Sequence, residues 1–447
     1  MLRVDRKVKY GNSGLMPSSG HQMEMRWLRF WASRKEAGGY VGETILGIGV
    51  ILFLSFFFAA LFERSRIPDV LLLTLVGIVV GPLTHWVQPQ DWGKVGGVLG
   101  TFTLVVILGE SGTALRLSVI LKYIKPTLGL TLATFVVTVG VVFLVTLFGL
   151  GLSVLLALAV GMALGGTSSA VVIPMVRSLK VREPAATILV IESALTDVLC
   201  IVLAFGFMEA ASRGSFRPER LAGSIVAALL GAGLVGFVGG VSWMRMVSAV
   251  RQFPNTAFAT SAWVCILYGI SEVIGVSGAI AALVFGITLA NYRGMVVTRN
   301  LIFREGGLGA LAESDRSFYQ EIIFFLKTFF FVYLGLSVRF SNRREILLAI
   351  LAIVIIYLAR PFLVRTMMRV GSPGWEDSSL ASVMVPKGLA AAVLASVPLR
   401  MGLPGGETVQ SFAYMVVLFS ILTTALLVPV LRRPAVASLC RSFFKSY

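Results

Sequence analysis

The chain has 447 residues, 57% of them hydrophobic and only 14% charged, with a mean hydropathy of +0.88. Soluble domains carry about 25% charged residues, so this composition excludes a water-soluble globular protein and points to a polytopic membrane protein. The net charge of +17 lies in short basic runs at the ends of apolar stretches, as in membrane loops; the expected surrounding is a lipid bilayer, and no nucleic-acid partner is expected.

Residues 1–40 form a polar, basic leader with no apolar core and no small-residue cleavage site, which does not fit a secretory signal. Met23 and Met25 are alternative starts. Apolar runs long enough to cross a bilayer then follow at 41–62, 67–83, 95–112, 126–149, 151–176, 184–209, 220–242, 256–273, 276–292, 319–338, 345–369, 378–400 and 407–431. The expected fold is therefore an all-α polytopic membrane protein of about 13 transmembrane helices. Its membrane domain covers 41–433 and is followed by a short cytoplasmic tail, 434–447, too short for a regulatory domain.

With the N-terminus outside, the inner loops hold 20 lysines and arginines and the outer loops after the first segment hold 8. That asymmetry predicts an inner-membrane protein with N-terminus out and C-terminus in, against the eight basic residues of the leader. Cys200, Cys265 and Cys440 are isolated and form no disulfide or metal spacing. His21 and His85 are the only histidines and lie in polar connections, so no histidine-based metal site or other cofactor is expected.

Thirteen segments allow an inverted repeat in which segment n matches segment n+7. The fifth is interrupted at Gly165-Gly166-Thr167 and the twelfth at Pro386-Lys387-Gly388. Interrupted segments at matching positions in two halves point to a transport site. Gly77, Gly81 and Pro82 fit close helix packing and a helix end.

Asp197 lies in the middle of the sixth segment, where a carboxylate is costly unless it is paired, hydrated or holds a cation. Ser193, four residues earlier, shares its helix face. Thr196 adjoins it, and Thr167 and Ser168 come from the interrupted fifth segment. Carboxylate, hydroxyl and freed carbonyl oxygens together suit a hard monovalent cation. The same carboxylate can take a proton instead, and that competition is sufficient for exchange if the site opens to one side at a time.

Glu192 lies about 140° around the helix from Asp197. A pair with the buried base Lys387 would satisfy both charges and tie the two interrupted helices together. Glu110, ending the third segment, either joins this pair or caps a loop. Arg360 and Lys327 read as side chains near a segment end that reach to the headgroups. Glu63 and Asp69 read as solvated, Glu272 and Asn291 as residues near helix ends, and Phe324–Phe331 as packing.

Five motifs in this order resemble the NhaP-type monovalent cation–proton antiporters, within the sodium/hydrogen exchangers. Arg66-Ile67-Pro68-Asp69-Val70-Leu71 through Gly81-Pro82 is similar to that family's second-helix opening. Leu108-Gly109-Glu110-Ser111-Gly112 is a looser match to its Phe-Glu-Gly-Gly. Glu192-Ser193-Ala194-Leu195-Thr196-Asp197 resembles Glu-Ser-x-x-Asn-Asp. Lys327-Thr328-Phe329-Phe330-Phe331 with Gly335-Leu336 resembles a family helix. Pro386-Lys387-Gly388-Leu389-Ala390 resembles Pro-Arg-Gly-Leu-Ala.

The resemblance covers about 41–431 and implies inverted repeats, a homodimer and elevator-like alternating access. It implies that Asp197 binds ion and proton in turn, with Ser193 and Thr167 as oxygen ligands, and that Glu192 pairs with Lys387 near Glu110. Three positions depart from the pattern: Thr196 stands for asparagine, Ser168 for aspartate and Lys387 for arginine, which loses planar bidentate pairing. The expected function is one-for-one exchange of Na⁺ for H⁺, with K⁺ as the alternative ion. A sensor on a transporter scaffold is the alternative class. A membrane enzyme would need a nucleophile–base set or a metal cluster, and the sequence offers none.

Overall fold

A computed structural model describes residues 42, 45–61, 68–88, 95–114, 117–214, 218–250, 258–291, 313–340, 342–368 and 374–444. The basic leader 1–40, Glu63, and loop residues that set the orientation, among them Arg64, Arg66, Arg293 and Arg304, lie outside the described residues. Contacts divide the chain into two compact units, Met1–Leu54 and Ser55–Tyr447. The first is described only at residue 42 and over helical residues 45–54. The second holds the site.

The regular structure among the described residues is helical, without a strand. Among the described residues, seven helices are long and apolar enough to cross a membrane, and six shorter apolar helices accompany them. In chain order the second unit contains α1 (Asp69–Ile78), α2 (Val95–Ala114), α3 (Leu117–Leu144), α4 (Val154–Leu164), α5 (Ser169–Ser178), α6 (Glu183–Arg213), α7 (Pro218–Val250) and α8 (Ala259–Val273). There follow α9 (Gly278–Asn291), α10 (Glu313–Ser337), α11 (Arg343–Met367), α12 (Trp375–Val383), α13 (Leu389–Arg400), α14 (Gly406–Val430) and α15 (Pro434–Phe443). The fifth and twelfth segments are broken as expected, into α4 and α5 and into α12 and α13.

Helix α6 positions the carboxylates. Its start is set by extended Arg182 and by Pro184 in the first turn, where the missing N–H costs nothing; its end is set by Gly214 in the left-handed region, φ 65°. At 1.5 Å per residue its 31 residues run about 46 Å, longer than the roughly 30 Å of hydrocarbon. Asp197, near its midpoint, falls close to mid-membrane depth. Around α6 pack α3, α4 and α5, and α11, α13 and α14 complete this bundle.

A second group pairs α1 with α10 and α2 with α9. Each crossing is set by facing glycines. A Cβ on Gly77 or on Gly335 would come within 2.9 Å of the other's Cα, and Gly112 and Gly286 show the same 2.9 Å relation. With the seven-segment offset, α1 maps to α9 and α2 maps to α10. One glycine crossing therefore maps onto the other, the correspondence that the expected repeat requires. Gly112→Val and Gly77→Val are each expected to force these backbones apart and lower the thermal midpoint, at about 1–3 kcal/mol for overpacking. An unchanged midpoint in detergent for both would contradict the close approach.

Lys327 and Asp69 correct their sequence reading. The Lys327 ammonium donates to Asp69 Oδ2 at 2.6 Å, and both side chains are largely buried. Asp69 also accepts from the Val70 N–H at 2.9 Å. An acid at the start of α1 meets a base within α10, so neither is left to solvent or headgroups.

Candidate functional site

The two helix breaks meet where both chains leave regular helix. Between α4 and α5 lie residues 165–168; between α12 and α13 lie 384–388. Ser168 N–H donates to the Pro386 carbonyl at 2.7 Å, Lys387 N–H to Ser420 Oγ at 2.8 Å, and Lys387 Nζ to the Gly166 carbonyl at 2.8 Å. A chain that leaves helical geometry inside a membrane must satisfy its freed groups internally, and these bonds do so. Gly388 is required by proximity, since a Cβ there would collide with the Ser168 side chain. At Gly166 a Cβ would lie 2.8 Å from Cys200 Sγ.

Asp197 reaches the crossing from α6. Its Oδ2 accepts from Ser169 Oγ at 2.8 Å, at the first turn of α5. That helix end carries partial positive charge, which favours a carboxylate. A cavity of about 20 Å³ lies here, lined by Asp197, Thr167, Ser168, Ser169, Cys200 and Gly388 among others. That is room for about one water-sized species. The cavity offers carboxylate and hydroxyl oxygens, the donor chemistry of a hard cation.

The expected ligands divide at this point. Asp197, Thr167 and Ser168 line one cavity. Ser193 and Thr196 are buried but do not line it. Ser193 Oγ donates to the Val190 carbonyl at 2.9 Å within its own helix. Thr196 Oγ1 accepts the Thr167 N–H at 3.1 Å and donates to the Ser193 carbonyl at 3.1 Å, so it pins the break to α6. Ser169, which is not among the ligands expected from the sequence, is the residue bonded to the acid.

The Glu192–Lys387 pair is corrected by the geometry. Glu192 is held by Arg360 through two bonds, Nη1 to Oε1 at 2.5 Å and Nη2 to Oε2 at 2.6 Å. Arg360 also donates to Thr134 Oγ1 and, from Nε, to the Ala381 carbonyl at 3.2 Å. Both charged side chains are 1% exposed. Arg360 is seven residues from the end of α11, about 10 Å at helical rise, and so faces the bundle instead of extending to headgroups. A guanidinium presents two parallel donors to a carboxylate, which an ammonium cannot do. Lys387 instead neutralises the carbonyl end of α4, where a cation is favoured. Glu110 is half-buried on α2, and Thr113 Oγ1 donates to its carbonyl at 2.7 Å.

Glu272 and Asn291 lie at helix ends as expected. The Glu272 carboxylate accepts the Gly278 N–H at 2.9 Å, across the turn between α8 and α9. Asn291 donates to the Ile287 carbonyl at 2.8 Å.

Residues 51–433 match the family described as "Sodium/hydrogen exchanger, transmembrane". The Na⁺/H⁺ antiporter NhaS2 of Synechocystis sp. is 26% identical over 393 residues, covering 85% of this chain and 68% of that protein. The K⁺/H⁺ antiporter NhaP2 of Shewanella oneidensis is 24% identical over 392 residues, covering 86% of this chain and 64% of that protein, slightly under two thirds of its length. The structure of the sodium proton antiporter MjNhaP1 from Methanocaldococcus jannaschii at pH 8 superposes with a TM-score of 0.69 at 20% identity, covering 88% of this chain and 98% of that one.

Proposed function

The chain belongs to the sodium/hydrogen exchanger family, a family of membrane transporters, and from that premise we propose that it exchanges a monovalent cation for H⁺ at Asp197. The observation that carries this reading is the placement of Asp197 in a small oxygen-lined cavity where two broken helices cross. Asp197, Thr167, Ser168 and Ser169 supply side-chain oxygens to the cation. When the cation leaves, the carboxylate takes a proton, and the two substrates never share the site. Alternating access carries the loaded site across the membrane.

Ser193 and Thr196 support the site from the helix that carries Asp197, and the Glu192–Arg360 pair and Lys387 hold the bundle and the crossing. Na⁺ is the first choice of ion and K⁺ the second. The relatives' names include both, and oxygen ligands alone do not separate them. The working unit is a homodimer in the cell membrane, N-terminus outside and C-terminus cytoplasmic. A non-transporting ion sensor on the same scaffold is the competing reading.

The test is pH-dye exchange in proteoliposomes with Na⁺, K⁺ and Li⁺ gradients. A single carboxylate that carries either one H⁺ or one monovalent cation has the same net charge in both loaded states. Exchange is therefore expected to be insensitive to a potential imposed with an ionophore for an ion that is not a substrate. A rate that follows the potential would require a second titrating group. No exchange with any of the three ions, from a protein that remains folded, would favour the sensor.

A further inference from the structure

We propose that α15 is an interfacial helix that binds the anionic phosphodiester headgroups of the leaflet in which α11 and α14 end. It begins four residues after α14, through the turn Leu431–Arg433. Its apolar residues Val436, Leu439, Cys440 and Phe443 recur at i, i+3, i+4 and i+7, which places them on one face. Ser438, Arg441 and Ser442 take the other side. No residue within α15 is buried, and Leu439 is 70% exposed. An apolar stripe of this kind is costly in water and stable at a headgroup boundary.

Position and charge identify the occupant. The Phe443 ring packs edge-on against Phe362 of α11, with centroids 5.5 Å apart, and the Arg365 guanidinium lies 4.7 Å from the Phe443 centroid. Phe362 and Arg365 belong to the last turns of α11, so α15 sits level with the end of one spanning helix and immediately after the end of another. Arg432, Arg433 and Arg441 are exposed there and make no ion pair among the described residues. No aspartate or glutamate follows Glu407 in the chain. A basic segment of this kind at a membrane surface is complementary to anionic lipid, with each arginine contributing about a fivefold preference. Helix α15 also packs against α12, the first half of the second broken helix, so the anchored helix buttresses an element of the crossing.

The test is the thermal midpoint of the purified full-length protein in neutral detergent, titrated with phosphatidylglycerol or phosphatidylcholine. Phosphatidylglycerol is expected to raise the midpoint at concentrations where phosphatidylcholine does not, and added salt should weaken the effect. The triple variant R432Q/R433Q/R441Q should keep the lipid-free midpoint and need more than tenfold more phosphatidylglycerol for the same rise. Leu439→Asn should weaken the response with no change of charge. An unchanged response in the triple variant, or equal responses to the two lipids, would overturn the proposal. No response of the wild type to phosphatidylglycerol would also overturn it, leaving an acidic protein partner as the occupant to be sought.

Discussion

Arg360→Ala is expected to lower the thermal midpoint more than any other single truncation in the bundle. Two charges 1% exposed are held together by two short bonds. Removing one leaves Glu192 ionised without a partner, or protonated at a cost, and breaking a buried pair in this way costs about 3–5 kcal/mol. Thr134 Oγ1 and the Ala381 carbonyl lose their donor as well. The pair itself need not be net stabilising, so the double variant Arg360→Met with Glu192→Leu should recover much of the loss.

Lys387→Met is the informative contrast. It removes the donor to Gly166 but leaves Glu192 paired, so it should cost clearly less than Arg360→Ala. Midpoints in detergent for the three variants decide between the two assignments. If Lys387→Met were more damaging than Arg360→Ala, and Arg360→Ala were near wild type, Glu192 would depend on the lysine.

The elements most legible in the sequence were those marked by a residue that hydrocarbon tolerates poorly. Asp197 in an apolar run gave the site, and glycines with a proline gave both helix breaks, because each departs from what an ordinary spanning helix contains. Gly77 was read as a close-packing residue, and its partner Gly335 faces it at a backbone distance no side chain allows. What the sequence concealed was pairing between distant segments. Arg360 and Lys387 are both bases in apolar runs, and composition alone does not tell which one meets Glu192. Thr134 and the Ala381 carbonyl, from α3 and α12, complete the guanidinium's partners, and neither is a signal until the fold brings them together. Asp69 and Lys327 stand 258 positions apart and likewise read as separate surface charges.

The hydroxyl ligands show the same limit on a smaller scale. Ser193 follows from helical spacing, since it shares a face with Asp197, yet its hydroxyl bonds back to Val190 as serines in helices do. Ser169 is one residue past the break that the sequence marked. Only the path of residues 165–168 turns it toward the acid.

Asp197→Asn tests the central claim most directly. The amide keeps the size of the carboxylate and can still accept the Ser169 hydrogen bond. It removes the one charge for which cation and proton are proposed to compete, and it removes a charge from the membrane interior, where charge is costly. The variant is therefore expected to fold with a midpoint equal to or above that of the wild type. The measurement is the cation-driven pH change in proteoliposomes loaded with an internal pH dye, for Na⁺ and K⁺ gradients. The account predicts that Asp197→Asn gives no signal above protein-free vesicles with either ion while the wild type responds to at least one. Exchange at the wild-type rate in the variant would contradict it.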